Sequence, residues 1–341
     1  MTLELIGISV LWLFLFGYLI VASIDFGAGF FNAYSIFRGK QHILNKIIKR
    51  YLSPVWEVTN VFLVFFFVGI VGFFPKTAYY FGTTLLIPGS IAIILLAIRG
   101  SYYAFATYGE LKQKRFAFLY GMSGLFIPAS LSIVLTISEG GFVTMEDTGP
   151  VLHYWTLFTS PLTWSIVVLS LTAVLYISAV FLTWYAYKAK DKPATELMRK
   201  YALIWAAPLI ITAAGIIVEM RYHNPEHFER LIDLWWLFGL SFLLFAGTVY
   251  LISKRKRYGL AFGLLSGQFF LAFFAYGMSH LPYLLYPFLT IYDSFTNEAM
   301  AIALIIAFIA GLGLLIPSLF LLLKLFLFNK DYVEGKRNDF A

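Results

Sequence analysis

Long apolar stretches recur along the chain, separated by short polar segments. Nine of them approach or exceed the roughly 20 residues that a helix needs to cross a bilayer. They lie near residues 5–30, 54–74, 80–106, 116–137, 160–187, 202–220, 233–253, 259–280 and 299–326. Leu, Ile, Phe and Ala fill these stretches without the alternation of a transmembrane β-strand. The pattern predicts an all-α polytopic membrane protein with nine transmembrane helices, arranged as two four-helix bundles plus one helix.

The composition supports this interpretation. Hydrophobic residues make up 60% of the chain and charged residues only 13%, against about 25% charged residues in soluble domains. The segments between the apolar stretches are too short to build a core of their own. Residues 1–341 are therefore predicted to form a single integral membrane domain. The chain has no cysteine, which excludes disulfides, thiolate metal sites and iron–sulfur clusters.

The basic residues predict the orientation in the membrane. Of the 25 Lys and Arg residues, 22 fall on one side of the nine-span arrangement, and only Lys76, Arg221 and Arg230 fall on the other. Because cytoplasmic loops carry the excess of basic residues, the amino terminus is predicted outside and the carboxyl terminus in the cytoplasm. The segment MTLELIGISVLWLF has no basic residue, so we expect a retained first span and no signal peptide. The net charge of +7 is thus a topology signal, and no nucleic-acid partner is predicted.

Three charged residues near the ends of the first three spans are candidates for chemistry. In the predicted orientation, Asp25, Glu57 and Arg99 all lie at one depth near the cytoplasmic face. Charged groups within a membrane are costly and are often functional. Glu57 and Arg99 also fit an interfacial role, in which long side chains reach the headgroups. For Asp25 the alternatives are proton or ion handling and structural pairing with an arginine or a backbone amide.

Other residues around these charges complete the predicted polar site. Gly27 and Gly29 follow Asp25 and allow another helix to approach closely. Trp56 and Asn60 flank Glu57. With Arg99, these four residues are predicted to form a structural and polar network.

Histidines are too few for a haem or haem–copper site within the membrane. His42, His153, His223 and His227 fall in predicted loops, and only His280 lies at a span end. A haem held between helices needs axial His or Met ligands at membrane depth. We therefore predict that this chain by itself binds neither haem nor metal.

Four segments resemble subunit II of cytochrome bd-type quinol oxidases: IDFGAGF at 24–30, SPVWEVTNVFLVFF at 53–66, IRG at 98–100 and SHLPYLLYPFLTIYD at 279–293. Asp25, Gly27 and Gly29 match the second Asp and the glycines of the family's Asp-Gly-Phe-Asp-x-Gly-x-Gly motif, in which Ala22 here replaces the first Asp. The family's Pro-x-Trp-Asp/Glu motif is matched by Pro54, Trp56 and Glu57. The order, spacing and nine-span topology agree over the whole length. Alanines at 104 and 106 depart from the family's usual Glu and Arg, which leaves more of the proposed role to Asp25 and Glu57.

The resemblance implies a terminal oxidase of the bacterial cytoplasmic membrane that oxidises quinol and reduces oxygen to water. Its obligate partner, subunit I, would hold the b and d haems and the quinol. Subunit II would be haem-free, would stabilise subunit I, and would carry cytoplasmic protons inward through Asp25 and Glu57. The resemblance leaves open a structural quinone in this chain and a small single-span subunit, and membrane lipids would surround the complex.

A proton-coupled secondary transporter is the alternative. Intramembrane acids and helices broken by glycine or proline are typical of transporters. However, the predicted polar residues gather at the inner face and not at the bilayer midplane.

Overall fold

The structure is a computed structural model that describes residues 2–39, 41–108, 113–147, 149–293, 295–327 and 329. Within these ranges, the side chains at 41–43, 45–47, 49–58, 102–108, 113–116, 326 and 327 are not described. The described part is mostly helical, as the apolar pattern predicts.

Twelve α-helices follow one another along the chain. Their bounds are α1 Leu3–Phe37, α2 Gln41–Phe73, α3 Pro75–Thr84, α4 Leu86–Tyr108, α5 Gln113–Ser138, α6 Tyr154–Thr159, α7 Pro161–Lys188, α8 Lys192–His223, α9 Pro225–Asp233, α10 Trp235–Ser253, α11 Tyr258–His280 and α12 Glu298–Leu322. A short π-helical segment, Leu323–Leu327, continues α12.

Two small antiparallel hairpins, which the all-α prediction does not include, lie between these helices. Strand β1 (Val143–Glu146) pairs with β2 (Gly149–Leu152), and β3 (Tyr283–Leu285) pairs with β4 (Leu289–Thr290). Both hairpins occupy connections that are predicted to lie on the outer side.

The predicted third span, residues 80–106, is wrong at its beginning. The chain bends by 119° between α2 and α3, and α3 ends at Thr84 before α4 begins at Leu86. Pro75 contributes to the bend between α2 and α3, because it lacks a backbone N–H and fits only the first turn of a helix. At the end of α3, Thr83 and Thr84 donate their hydroxyls to the carbonyls of Tyr79 and Tyr80, and such bonds often bend a helix.

Seven of the described helices are long and apolar enough to cross a membrane, and the bent α2–α3 pair raises the number to eight. The seven include α1, α7, α8, α10, α11 and the segments Ala117–Ser138 and Glu298–Leu325. A shorter apolar helix, Leu86–Ser101, lies within α4. These helices place the chain among polytopic membrane proteins, whereas nine spans and their orientation stay predictions.

Helix α7 lies at the centre of the molecule. In its most apolar stretch 72% of the residues are buried, against 28% for α1 and 17% for α12. It packs against α8, α1, α5 and α11, and its side chains form the largest core cluster with those of α1, α8 and α11. Helix α1 packs in turn against α2, α5 and α12. This packing fixes the depth at which polar residues of α1, α4 and α5 can meet.

Candidate functional site

Three helices bring Asp25, Arg99 and Tyr120 together in what we call the ion-pair cluster. Arg99 Nε donates to Asp25 Oδ2 at 3.0 Å, and the two side chains are 0% and 2% exposed. Tyr120 donates its hydroxyl to the other carboxylate oxygen, Oδ1, at 3.2 Å. Burial of the Asp25 carboxylate without Arg99 would be strongly unfavourable, so the guanidinium stabilises it.

Backbone carbonyls hold the Arg99 guanidinium as well. Nη2 donates to the carbonyl of Asp25 at 2.7 Å and Nη1 donates to the carbonyl of Tyr120 at 2.8 Å. The guanidinium also lies over the Tyr120 ring, 3.7 Å from its centroid. Arg99 on α4 therefore ties α1 to α5 through contacts that do not depend on the carboxylate.

The glycines beside Asp25 permit this close packing. A Cβ at Gly27 would collide with Ser178 on α7 and come within 2.9 Å of the Val174 carbonyl. A Cβ at Gly29 would lie 2.8 Å from the Tyr120 ring and 3.0 Å from Arg99 Nη1. Small residues commonly allow such approach between membrane helices. Here Gly27 lets α7, and Gly29 lets α5, approach the α1 backbone just after Asp25.

The structure brings together two of the three predicted charges. Arg99 is fully buried, so the alternative of a side chain that reaches into the headgroups is wrong for this residue. Asn60 is half-buried on α2. Trp56 and Glu57 occupy helical positions on α2, but their side chains lie outside the described residues.

A second group of buried and half-buried polar residues, the histidine cluster, lies beyond the other end of α5. It comprises Glu139, His227, Tyr276 and His280, from the turn after α5, from α9 and from the end of α11. His227 Nδ1 lies 2.8 Å from Glu139 Oε2, and both side chains are 0% exposed. His280 Nδ1 lies 3.6 Å from Glu139 Oε1, and Tyr276 donates its hydroxyl to the same oxygen.

Surrounding groups fix the orientation of the histidine cluster. Asn224 Nδ2 donates to the side chain and the carbonyl of Glu139, each at 3.2 Å, while its Oδ1 accepts from the His227 backbone. Burial alone would raise the pKa of Glu139. The hydrogen bond with His227 and the charges of His280 and His227 outweigh burial and hold that pKa below its ordinary value.

Sequence reasoning missed this second cluster. Glu139 and His227 stand in short polar connections between apolar stretches, where charged residues are ordinary and attract no notice. The prediction of His227 as an outer-loop residue is incomplete, because it is a fully buried residue of α9. Helix α9 buries only His227 and Leu231, and nothing in its nine residues predicts that this face covers a polar cluster.

The four histidines whose side chains the structure describes are not arranged to hold a haem between them. The ring centroids of His227 and His280 are only 5.0 Å apart, which leaves no space for a porphyrin. His153 contacts Thr144 through Nε2, and His223 contacts the Gly140 carbonyl and stacks on Phe142. These four histidines therefore offer no pair of axial ligands for a haem.

Comparison with known proteins identifies the family. The family model described as cytochrome bd terminal oxidase subunit II matches residues 3–326. A Bacillus subtilis (strain 168) protein named "Putative cytochrome bd menaquinol oxidase subunit II" is 36% identical over 340 residues, which cover 97% of each chain. In the structure of bd oxidase from Geobacillus thermodenitrificans, one chain is 67% identical and superposes with a TM-score of 0.86. That match covers 96% of this chain and all of the other.

These matches favour the oxidase interpretation over a transporter. Together with the apolar helices, they indicate a multi-pass bacterial membrane protein that works with a partner, subunit I, in a complex that contains haem. The chain belongs to the cytochrome bd terminal oxidase subunit II family and is a subunit of a quinol oxidase.

Proposed function

We propose that this chain is the haem-free subunit II of its oxidase, that it stabilises subunit I, and that it supplies cytoplasmic protons for the reduction of oxygen to water. The ion-pair cluster is the observation that carries the proposal. The carboxylate of Asp25 lies between α4 and the candidate membrane spans α1 and α5, and carboxylates within a membrane are by default candidates for proton relays. In the proposed orientation, with nine spans and the amino terminus outside, Asp25 lies toward the cytoplasmic side.

The contacts of Asp25 allow it to accept and release a proton without loss of the helix packing. Oδ2 accepts from Arg99, but Oδ1 accepts only the longer bond from Tyr120 among the described contacts. The guanidinium keeps its two bonds to backbone carbonyls when the carboxylate is neutral. Protonation at Oδ1 therefore leaves Arg99 bound in place.

We propose one further proton-carrying group on each side of Asp25. Glu57 on α2, which packs against α1, is the proposed entry group. Tyr18 lies seven residues before Asp25, on the same face of α1. Its hydroxyl is buried and has no hydrogen-bond partner among the described residues. We propose Tyr18 as the next group inward, with the remaining path in subunit I.

Exposed apolar side chains support the stabilising role. On α4, Ile87, Ile91 and Ile94 are 51%, 45% and 58% exposed in the isolated chain, and lipid or subunit I would cover them. The name of the B. subtilis relative supports menaquinol as the reductant of the complex. A structural quinone and a small single-span subunit stay predictions.

The test uses the whole complex, purified through an affinity tag on this chain. We expect the optical bands of the b and d haems and quinol-driven oxygen consumption from the wild type. Asp25→Asn should keep the haem bands, because the backbone bonds of Arg99 remain. It should lower oxygen turnover by at least about tenfold, since acid–base groups typically contribute more than that.

A matched control is Ser178→Ala, which removes a hydroxyl that donates to the Ile24 carbonyl beside Asp25 but leaves the charges. Its turnover should stay near that of the wild type. Full turnover in Asp25→Asn, with intact haems, would refute the relay and leave a structural ion pair.

A further inference from the structure

Three possible metal ligands converge in the histidine cluster. The side-chain donor atoms of Glu139, His227 and His280 all lie within 4.8 Å of one another. The separations are 2.8 Å for His227 Nδ1 to Glu139 Oε2, 3.6 Å for His280 Nδ1 to Glu139 Oε1, and 3.5 Å between the two Nδ1 atoms. Ligands of a tetrahedral zinc ion, with bonds of about 2.0–2.1 Å, are about 3.3 Å apart. The three donors are therefore spaced nearly as a zinc site requires.

The hydrogen bonds of Ser279 fix the orientation of His227. The single hydroxyl proton of Ser279 is donated to the Tyr276 carbonyl at 2.8 Å. Ser279 Oγ, 2.7 Å from His227 Nε2, is then the acceptor for the proton on that nitrogen. Nδ1 is left facing a carboxylate oxygen at 2.8 Å, so a proton or a metal cation must lie between them.

The contacts of His280 favour a metal cation over a proton between His227 and Glu139. A proton on His227 Nδ1 would satisfy the His227–Glu139 pair alone. His280 Nδ1 would then keep only contacts of 3.5 Å with His227 Nδ1 and 3.6 Å with Glu139 Oε1, and both are long for a hydrogen bond. Buried nitrogens are normally satisfied. A cation bound by Nδ1 would give this ring a strong partner.

The surroundings are those of a prepared metal site. Metal-bound histidines usually donate their second nitrogen to a neighbouring group, and metal-bound carboxylates are themselves hydrogen-bonded. Ser279 plays the first role for His227, and Asn224 and Tyr276 play the second for Glu139. The His280 side chain is 11% exposed, so the edge of the cluster reaches the surface of the chain.

From this geometry we propose that Glu139, His227 and His280 bind one divalent transition-metal cation of the zinc class. Two imidazoles and a carboxylate are ligands that zinc takes commonly. The site differs from the prediction that this chain ligates no metal, because the three residues are 88 and 53 positions apart and only the fold unites them. The proposal is independent of the proton route through Asp25.

The direct test measures zinc in the whole complex, purified through a tag without histidine. The complex is stripped with a chelator, incubated with Zn²⁺ and passed through a desalting column, and zinc is counted per complex by mass spectrometry. We expect one retained ion in the wild type and none in His280→Ala. His153→Gln, an exposed histidine on the same side, is the matched control and should retain the ion.

Two measurements cover the case in which His280→Ala does not assemble. Ser279→Ala should weaken zinc binding by about 10- to 100-fold, as changes to outer-shell partners do. Co²⁺ added to the stripped wild type should give the visible absorption of a four- or five-coordinate ion. Equal zinc content in His280→Ala and His153→Gln, or a wild type that gives no cobalt absorption, would overturn the proposal.

Discussion

The two buried clusters lie at opposite ends of α5 and differ in how their charge is stabilised. Tyr120 contributes to the ion-pair cluster, and Glu139 follows the last residue of the helix, Ser138. Tyr120 and Ser138 are about 27 Å apart along the helix, since each residue adds about 1.5 Å. This separation is close to the hydrocarbon thickness of a bilayer.

In the ion-pair cluster, the positive charge is permanent, because arginine is not deprotonated in proteins. In the histidine cluster, any positive charge must come from a proton or a metal ion, because its only basic groups are imidazoles. Under the two proposals, the first cluster keeps helices together around one exchangeable proton. The second holds a cation beyond the end of α5.

The largest effect should follow the loss of the permanent charge. Arg99→Leu leaves the Asp25 carboxylate buried and unpaired, which typically costs about 3–5 kcal/mol. We expect the purified complex to lose thermal stability and haem. The double variant Arg99→Leu/Asp25→Leu should regain most of that stability, since a well-packed apolar pair often replaces a buried ion pair. A double variant as unstable as Arg99→Leu would contradict this account.

Two tyrosines allow a matched comparison of the clusters. Tyr276→Phe removes a hydroxyl from Glu139, which has no arginine partner among the described residues, and should cost about 1.5–3 kcal/mol. Tyr120→Phe keeps the ring against Arg99, while Asp25 retains its bond from that residue, so a cost of about 0.5–1.5 kcal/mol is expected. Thermal unfolding of the two complexes would show the order. Equal losses would mean that the carboxylates are similarly supported.

Packing around Asp25 can be tested apart from its charge. Gly27→Ala places a methyl group against Ser178, and overpacking of this kind typically costs about 1–3 kcal/mol. Gly215→Ala on α8, where an added Cβ meets nothing within 4 Å, is the control and should be neutral or slightly stabilising. Thermal stability of the complex distinguishes them, and a tolerated Gly27→Ala would show that α1 and α7 can separate.

The smallest effect is expected on the surface beside the histidine cluster. Arg230 Nη1 contacts Glu226 Oε1, but the two side chains are 27% and 49% exposed. The hydrogen bond from Arg230 lowers the pKa of Glu226, so its contribution is present at neutral pH and is lost as the pH falls below about 4.5, the ordinary value. Glu226→Gln should cost less than about 1 kcal/mol at pH 7, and a larger loss in thermal unfolding would contradict this.

The contrast between the clusters also explains what the sequence could predict. Asp25 and Arg99 lie within or at the end of apolar stretches, where a charge stands out, and the topology brought them to one depth. Tyr120 could not be found in this way, because tyrosine is ordinary in such a stretch. Glu139 and His280 come together because of where α9 and the turn after α5 lie, and those positions depend on tertiary packing. Likewise, the 119° bend after Phe73 leaves no mark in the average hydropathy.

The proton-relay role of Asp25 is tested most directly by measuring proton uptake by the complex during a single turnover with oxygen, followed with a pH indicator. Asp25→Asn is compared with Glu139→Gln, which alters the carboxylate of the other cluster. We expect proton uptake slowed by at least about tenfold in Asp25→Asn and unchanged in Glu139→Gln, with intact haem spectra in both. Uptake at the wild-type rate in Asp25→Asn would contradict the proton-relay role.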